Sequence, residues 1–280
     1  VLTPIHRALI TYDLLRALKY IHSAGVVHRD VKPSNILLSS SCEVKLADFG
    51  WARSVPVPGD ESVMTDYAAT RWYRAPEMLL GGRFYSTPVD MWALGCIIAE
   101  MRLRHPLFPG ICTMNMLDRI LEILGKPLPA DIQAMEALHD KHFQSIEAEP
   151  PRRTLAVLFP NDPLEFVDML QLLLQPHPEK RMIADEAMNH PYVGSFHNPD
   201  DDPTFGRYLQ LSLSDTELHQ AGRYRDQIYA DIIGLERARK RINELQEQEE
   251  EEVLLMQQTE SLGPGKRLSS ELSLPAMRHL

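Results

Sequence analysis

The chain has 280 residues, of which 44% are hydrophobic, so it is long enough to bury one sizeable core and to carry an appended segment. Its formal net charge of −10 argues against a general nucleic-acid binder and against a protein that binds anionic membranes. The three cysteines are far apart and form no C-x-x-C pair, so we expect neither a zinc site nor a disulfide framework, and a reducing compartment is the default.

The amino end, Val1-Leu2-Thr3-Pro4, lacks the charged region and the long apolar run of a secretory signal. The most apolar run, Leu94 to Ala99, is too short to cross a bilayer, so we expect no membrane span. The chain begins with valine rather than methionine, and we therefore expect that an upstream part is missing from it.

Apolar residues at helical spacing predict a first helix from Ile5 to Ser23, which Gly25 ends. Two short β-like runs follow, Ile36-Leu37-Leu38 and Val44-Lys45-Leu46-Ala47, and a polar turn separates them. These two runs predict a β-hairpin.

The segment between the helix and the hairpin, His28-Arg29-Asp30-Val31-Lys32-Pro33-Ser34-Asn35, has the pattern of a phosphoryl-transfer catalytic loop. An acid at Asp30 stands where a substrate hydroxyl must lose its proton. Lys32 can contact the transferred phosphate, and Asn35 can hold magnesium. The alternative is a surface loop with scattered charges, but the order of the downstream motifs favours the catalytic interpretation.

Asp48-Phe49-Gly50 stands directly after the second β-like run. A carboxylate at a strand end, followed by an apolar residue and a glycine, suits a magnesium ligand. The polar residues from Trp51 to Arg74 come next and end in Ala75-Pro76-Glu77, which predicts an activation segment.

Inside this segment, Thr65 and Tyr67 are two phosphorylatable side chains one residue apart. Phosphate on them would add negative charge that guanidinium groups can bind, and three arginines lie nearby in sequence, at Arg53, Arg71 and Arg74. The sequence therefore predicts a charge-driven ordering switch, with an ordinary polar loop as the alternative.

The chain from Thr87 onward is apolar and predicts a buried helix that contains Asp90. Because an unpaired buried carboxylate is costly, we expect Asp90 to accept hydrogen bonds from backbone amides of the catalytic loop. Further helices are predicted at about 114–124 and 164–174, with an irregular region at 125–163 between them. Arg181 is a candidate buried partner for Glu77, and an exposed turn arginine is the alternative.

The carboxyl-terminal part changes character after residue 205. Residues 198–203 form a compact acidic cluster, which is either a solvated face or a docking patch for basic peptide motifs. A capping box at 214–217 predicts the start of a long polar helix, from about residue 215 to 258. Its apolar spacing is loose rather than a sustained heptad repeat. Residues 259–280 are predicted to be disordered.

In combination these motifs resemble the large lobe of a eukaryotic protein kinase and, more narrowly, a mitogen-activated protein (MAP) kinase. The distinguishing residues are Thr65-Asp66-Tyr67, the run from Ala69 to Glu77, and the extra segment after Leu107-Phe108-Pro109-Gly110. Cyclin-dependent kinases share much of this pattern but lack the paired threonine and tyrosine. The run from Tyr224 to Tyr229 resembles the atypical mitogen-activated protein kinase 15 branch.

The resemblance covers roughly residues 5–233 and implies a mainly α fold, the helical large lobe of a kinase with short β-hairpins, a long carboxyl-terminal helix and a disordered tail. The implied division is a partial kinase domain at 1–204, with the family insert at about 105–163. A helical extension at 205–258 and the tail at 259–280 complete it.

The resemblance also implies roles for single residues. Asp30 would orient the substrate hydroxyl and accept its proton, while Lys32 would contact the γ-phosphate of ATP. Asn35 and Asp48 would hold Mg²⁺. Thr70 would hydrogen-bond Asp30 and help to seat the substrate.

The resemblance also implies residues that bind the phosphates of the switch or contact the substrate. The phosphate partners are Arg29 and Arg53 for Thr65, and Arg71 and Arg74 for Tyr67. Arg74 would also shape the pocket so that proline is favoured next to the acceptor. Trp51 is a departure, because the family usually has leucine after D-F-G.

The acidic cluster lies where the family keeps its common docking site for basic peptides. Asp201 and Asp202 are retained, but Asn198 replaces one expected acid, so weaker or altered docking is expected. The family context implies a location in the cytoplasm or nucleus.

The larger departure is an absence: the sequence contains no G-x-G-x-x-G loop and no V-A-I-K strand lysine. We therefore expect the parent protein to be a proline-directed serine/threonine kinase, and this chain alone to be nearly inactive. Thr65 and Tyr67 would be phosphorylated by an upstream kinase or by autophosphorylation. The alternative is a non-catalytic docking or scaffold protein that binds basic peptides.

Overall fold

The computed structural model describes residues 2–55, 71–81, 86–129, 131, 153–201, 204–209 and 221–261. Contacts between residues divide the chain into two compact units, Val1–Gln210 and Leu211–Leu280. The described part of the first unit is mainly helical with two small antiparallel ladders, and that of the second is one long helix.

The helices described in the first unit are α1 (Pro4–Ser23), α2 (Pro76–Leu79), α3 (Pro88–Leu103), α4 (Thr113–Leu124), α5 (Leu155–Leu158), α6 (Leu164–Leu173) and α7 (Ala184–Met188). The long helix of the second unit is α8 (Ala221–Ser261). The strands are β1 (Val26–Val27), β2 (Ile36–Leu38), β3 (Val44–Leu46) and β4 (Arg53–Ser54). β1 pairs with β4 and β2 pairs with β3, each antiparallel.

Capping residues in the sequence explain where helix α1 begins and ends. The hydroxyl of Thr3 accepts a hydrogen bond from the backbone N–H of His6, and Pro4 occupies the first turn, where its missing N–H costs nothing. After the helix, Gly25 has a φ of 71°, a conformation that glycine adopts without strain. The predicted helix from Ile5 to Ser23 is confirmed.

The core of the first unit surrounds α3. This helix is buried along nearly its whole length, as expected for a helix that is apolar on every side. Trp92 is fully buried and stacks on Phe108 with ring centroids 5.8 Å apart. At Gly95 an added Cβ would lie 2.9 Å from Leu174, so only glycine lets the end of α6 approach this closely.

Two sequence predictions are wrong in detail. The region at 125–163, predicted to be irregular, contains the one-turn helix α5, which starts because the Thr154 hydroxyl accepts a hydrogen bond from the N–H of Val157. Residues 259–261, predicted to be disordered, are helical because α8 continues to Ser261. The predicted start of that helix, and the rest of the tail, lie outside the described residues.

Among the described residues, no helix combines the length and the apolar character that crossing a bilayer requires.

Candidate active site

The predicted catalytic loop lies between β1 and β2, above the amino end of α3. Asp90 of α3 is 1% exposed and accepts hydrogen bonds from two loop amides, the N–H of His28 at 2.9 Å and the N–H of Arg29 at 2.8 Å. His22 Nε2 lies 2.9 Å from the same carboxylate. The prediction that Asp90 binds backbone amides of this loop is confirmed.

These bonds hold an unfavourable backbone conformation in place. Arg29 has a φ of 68°, in the left-handed region that side chains other than glycine rarely adopt. Asp90 accepts the amide of this same residue and lies in the first turn of α3, where the helix dipole favours a negative charge. Asp90 therefore fixes the path of the chain immediately before Asp30.

His28 joins the loop to the Asp48-Phe49-Gly50 segment. Its Nδ1 accepts the N–H of Asp30 at 3.3 Å, so its Nε2 carries the proton and donates to the carbonyl oxygen of Ala47 at 3.0 Å. The imidazole also packs edge-on against the ring of Phe49, with centroids 4.8 Å apart. A buried histidine thus sets the distance between two predicted catalytic segments.

Three predicted catalytic residues form one hydrogen-bonded cluster. Lys32 Nζ donates to Asp30 Oδ2 at 2.6 Å, and Asn35 Nδ2 donates to the same oxygen at 3.1 Å. Asn35 Nδ2 also donates to the backbone carbonyl of Asp30 at 2.8 Å. Both side-chain donors therefore bind the same oxygen of Asp30, Oδ2.

Asn35 and Asp48 are the two predicted magnesium ligands. The N–H of Ala47 donates to the carbonyl of Asn35 at 2.8 Å, so the chain just before Asp48 is bonded to Asn35 itself. Asp48 has a φ of 62°, and its Oδ1 accepts the N–H of Gly50 at 3.3 Å. An amide oxygen and a carboxylate fit Mg²⁺, which usually binds one or two such side chains together with substrate phosphates.

No group of three or more histidine, cysteine, aspartate or glutamate side chains that could hold a metal occurs among the residues the structure describes.

The residues of the predicted switch are only partly described. Thr65, Tyr67 and Thr70 lie outside the described residues. Arg53 lies opposite Val27 in the β1–β4 ladder, and a side-chain nitrogen of Arg29 lies 3.4 Å from the carbonyl oxygen of Trp51.

Arg71 and Arg74 lie at the other end of the switch segment. Arg71 begins a short 3₁₀ helix that ends at Tyr73, and its carbonyl accepts the N–H of Arg74 at 3.0 Å. Both ends of the segment therefore carry predicted phosphate-binding arginines.

Glu77 and Arg181 form the predicted buried pair. Two guanidinium nitrogens of Arg181 donate to the two carboxylate oxygens of Glu77, each at 2.6 Å. Both side chains are nearly inaccessible, and the guanidinium lies over the ring of Trp92, 5.1 Å from its centroid. This prediction is confirmed, and the pair ties the end of the switch segment to the core.

Sequence reasoning missed a second anchor of the same segment. The hydroxyl of Tyr73 donates to Glu100 of α3 at 2.7 Å, and burial, followed by the hydrogen bond to this carboxylate, raises the pKa of Tyr73 above its ordinary range. Trp72 Nε1 donates to the carbonyl of Gly110 at 3.0 Å. An acid inside an apolar helix was the available signal, since Glu100 stands in α3 as Asp90 does.

The predicted docking acids lie at the edge of the described chain. Asp201 ends a 3₁₀ turn that starts at Pro199, and Asp202 lies outside the described residues. The Asn198 side-chain oxygen accepts the N–H of Asp200 at 3.2 Å, which shapes this turn.

A cavity of about 1130 Å³ lies away from the catalytic cluster. It lies between the start of α1, strand β2 and the end of α3, and its walls are mainly apolar. Of the catalytic loop only Pro33 lines it.

Comparisons with known proteins agree with the resemblance to protein kinases. Residues 1–193 match the model of the protein kinase domain family. The chain is 45% identical to "Extracellular signal-regulated kinase 2" of Dictyostelium discoideum, over 83% of this chain and 64% of that protein. It is 44% identical to "Mitogen-activated protein kinase 15" of Rattus norvegicus, over 83% of the chain and 43% of that protein.

A third relative, "Mitogen-activated protein kinase spk1" of Schizosaccharomyces pombe, is 46% identical over 71% of the chain and 54% of that protein. In these three cases the chain thus spans less than two thirds of the relative's length.

Proposed function

Because this chain belongs to the protein kinase family, we propose that it supplies the catalytic large lobe of a MAP-type serine/threonine kinase. The observation that carries this proposal is the cluster of Asp30, Lys32 and Asn35 on a loop held by buried Asp90. A scaffold that only binds peptides does not need a lysine and an amide that both donate to one oxygen of a carboxylate.

The proposed reaction is transfer of the γ-phosphate of ATP to a serine or threonine hydroxyl that precedes proline. The hydroxyl oxygen forms a bond to phosphorus, the bond to the leaving ADP oxygen breaks, and Asp30 Oδ1 accepts the hydroxyl proton. Lys32, held 2.6 Å from Asp30, places its positive charge beside the transferred phosphoryl group.

Magnesium would be held by Asn35 Oδ1, since its Nδ2 is turned to Asp30, and by the carboxylate of Asp48. When bound, it neutralises charge on the phosphates. The Asp30 cluster keeps Asn35 in the orientation that this binding requires.

The test is a phosphotransfer assay on the chain extended at its amino end by the Gly-rich loop and strand lysine of a MAP kinase relative. We expect Asp30→Asn to reduce transfer by about a hundredfold or more, as loss of a positioned base does. Asp226→Asn, an exposed change on α8, is the matched control and should leave the rate unchanged. Equal rates for wild type and Asp30→Asn would exclude the proposal.

The chain without that extension is proposed to transfer little or no phosphate, because its 280 residues contain neither the Gly-rich loop nor the strand lysine. The same assay on the unextended chain measures this. Full activity there would show that ATP is held by other residues.

We further propose that phosphorylation of Thr65 and Tyr67 activates the enzyme, with Arg29 and Arg53 binding one phosphate and Arg71 and Arg74 the other. Mass spectrometry of the extended protein, made without upstream kinases, distinguishes the two routes. Phosphate on Tyr67 would indicate autophosphorylation, and an unmodified Tyr67 would indicate a separate activator.

Substrates and regulators are proposed to dock through basic peptides on the acidic cluster at 198–203. Titration of a basic peptide into the chain tests this idea against an exposed control. Asp201→Asn/Asp202→Asn should weaken binding, whereas Asp226→Asn should not. The titration and the phosphotransfer assay together test the scaffold alternative. If the extended chain binds the basic peptide but transfers no phosphate, the scaffold alternative is favoured.

A further inference from the structure

Helix α8 carries a stripe of exposed aliphatic side chains along one face. The five residues follow spacings of three, four and seven, which places them on one side of the helix, and each is between 49% and 71% exposed: Ile228, Ile232, Leu235, Ile242 and Leu245. The same face continues through positions 253 and 256, which are valine and methionine. An apolar stripe of this length on a helix is typical of a contact surface.

The middle of α8 carries a basic segment that is followed by an acidic one. Residues 237–241 contain four basic side chains, and residues 247–252 contain five acidic ones. Two such helices paired in parallel would place basic beside basic and acidic beside acidic, which is unfavourable. Two helices paired antiparallel would place each basic segment beside the acidic segment of the other.

We propose that α8 forms an antiparallel two-helix pair with α8 of a second copy of this chain. The charge pattern and the apolar stripe specify the same register, with the twofold axis near Glu244. In this register Ile242 and Leu245 lie at the centre, and Leu235 lies beside position 253 of the second copy. Ile232 lies beside position 256, so apolar positions face each other at both ends of the segment from 232 to 256.

The register also accounts for the places where the stripe is polar. Positions 239 and 249, an arginine and a glutamate in the sequence, both lie within the stripe. About the twofold axis, position 239 of one copy falls beside position 249 of the other, so each interruption meets the opposite charge. A lone helix would gain nothing from this arrangement, whereas helices in proteins are stabilised mainly by packing one face against a partner.

Sedimentation equilibrium of the 280-residue chain tests the proposal. We expect a species of twice the 31.9 kDa chain mass, with a dissociation constant in the micromolar range or tighter. Arg239→Glu should weaken the dimer about tenfold or more, since the symmetry places the repulsion at two sites. Glu249→Arg should do the same, and an equimolar mixture of the two variants should recover a dimer of wild-type affinity.

Arg237→Glu is the matched control, because it makes the same charge change two residues away on the opposite face of α8. It should leave the dissociation constant within about twofold of the wild type. A monomeric wild type, or a dimer that Arg237→Glu weakens as much as Arg239→Glu, would overturn the proposal. So would a mixture that fails to recover the dimer.

Discussion

Helices α3 and α8 both contain aliphatic and charged residues, but these residues lie in different environments in the two helices. In α3 the aliphatic side chains are buried, and its acids Asp90 and Glu100 accept hydrogen bonds from the catalytic loop and from Tyr73. In α8 the described aliphatic side chains are exposed, and the middle of the helix carries a basic segment that is followed by an acidic one. In α3, a buried acid among apolar residues thus positions a neighbouring segment of the chain. In α8, the charged residues belong to a helix whose aliphatic side chains are exposed.

The largest expected effect is in the buried half of this comparison. Arg181→Met should destabilise the first unit by about 3–5 kcal/mol, because it leaves Glu77 charged and unpaired in the core. Urea denaturation followed by tryptophan fluorescence measures this, since all three tryptophans lie in the first unit.

Arg119→Met provides the exposed control for that prediction. Arg119 and Glu122 form a salt bridge on the surface of α4, with both side chains more than two fifths exposed. Its removal should cost about 0.5 kcal/mol or less. If both variants shifted the midpoint equally, the buried pair would not be an anchor.

Asp90→Asn should destabilise the first unit by about 2 kcal/mol. The amide keeps one acceptor oxygen but presents an NH₂ group to a donor, so a buried amide of the catalytic loop loses its partner. The same variant should slow phosphotransfer by the extended chain, because Arg29 loses the bond that holds its φ of 68°. Asp185→Asn, at an exposed partner of Lys19, should change neither quantity appreciably.

How far the sequence predicts this structure differs between the two regions. Helix α1, the hairpin and α3 follow from apolar spacing and turn residues, and the partners of Asp90 and Arg181 follow from the cost of burying charge. The one-turn helix α5 was missed because four residues are too few to show a period. The end of α8 was placed three residues too early because residues 257–260 are polar, although Gly263 and Pro264 form a stop signal just beyond Ser261.

Site geometry was harder to predict than site identity. The motifs specify Asp30, Lys32 and Asn35, but spacing alone does not show that two of them donate to one oxygen of the third. His22 and Tyr73 were missed because their partners lie far away in sequence, on α3. Such contacts depend on tertiary packing, which local pattern does not encode.

The partly buried phenol of Tyr192 makes the unfolding free energy of the first unit depend on pH. Burial, the largest cause, raises its pKa to about 12 from the ordinary value of 10.0. The folded state therefore keeps the phenol proton over a pH range where the unfolded state has lost it. The resulting stabilisation is fully present below pH 10 and is lost as pH rises through about 12.

The measurable consequence is a difference between wild type and Tyr192→Phe. The decrease in unfolding free energy between pH 10 and 12 should be smaller in the variant by about 2 kcal/mol. Denaturation series across that range give the two slopes. Parallel curves would show that Tyr192 is solvated as a free tyrosine is.

Gly95→Ala tests packing around α3. The added methyl carbon would lie 2.9 Å from Leu174 Cδ2 and 3.1 Å from Leu173 Cβ, and both leucines are buried. We expect a net destabilisation of about 1–2 kcal/mol, because the overpacking exceeds the gain in helix propensity. The shift should appear in the fluorescence-detected urea midpoint, and an unchanged midpoint would mean that the end of α6 can move aside.

Gly234→Ala is the same substitution in α8 and should have the opposite sign. Nothing lies within 4 Å of an added Cβ there, so only the propensity term remains, about 0.5–1 kcal/mol in favour of the helix. Hydrogen exchange should slow in the turns around residue 234, while the fluorescence midpoint of the first unit stays unchanged. Because the substitution is identical at both positions, the reversal of sign isolates packing as the difference between the two helices. If Gly234→Ala also lowered the fluorescence midpoint, α8 would have to be part of the first unit's cooperative core.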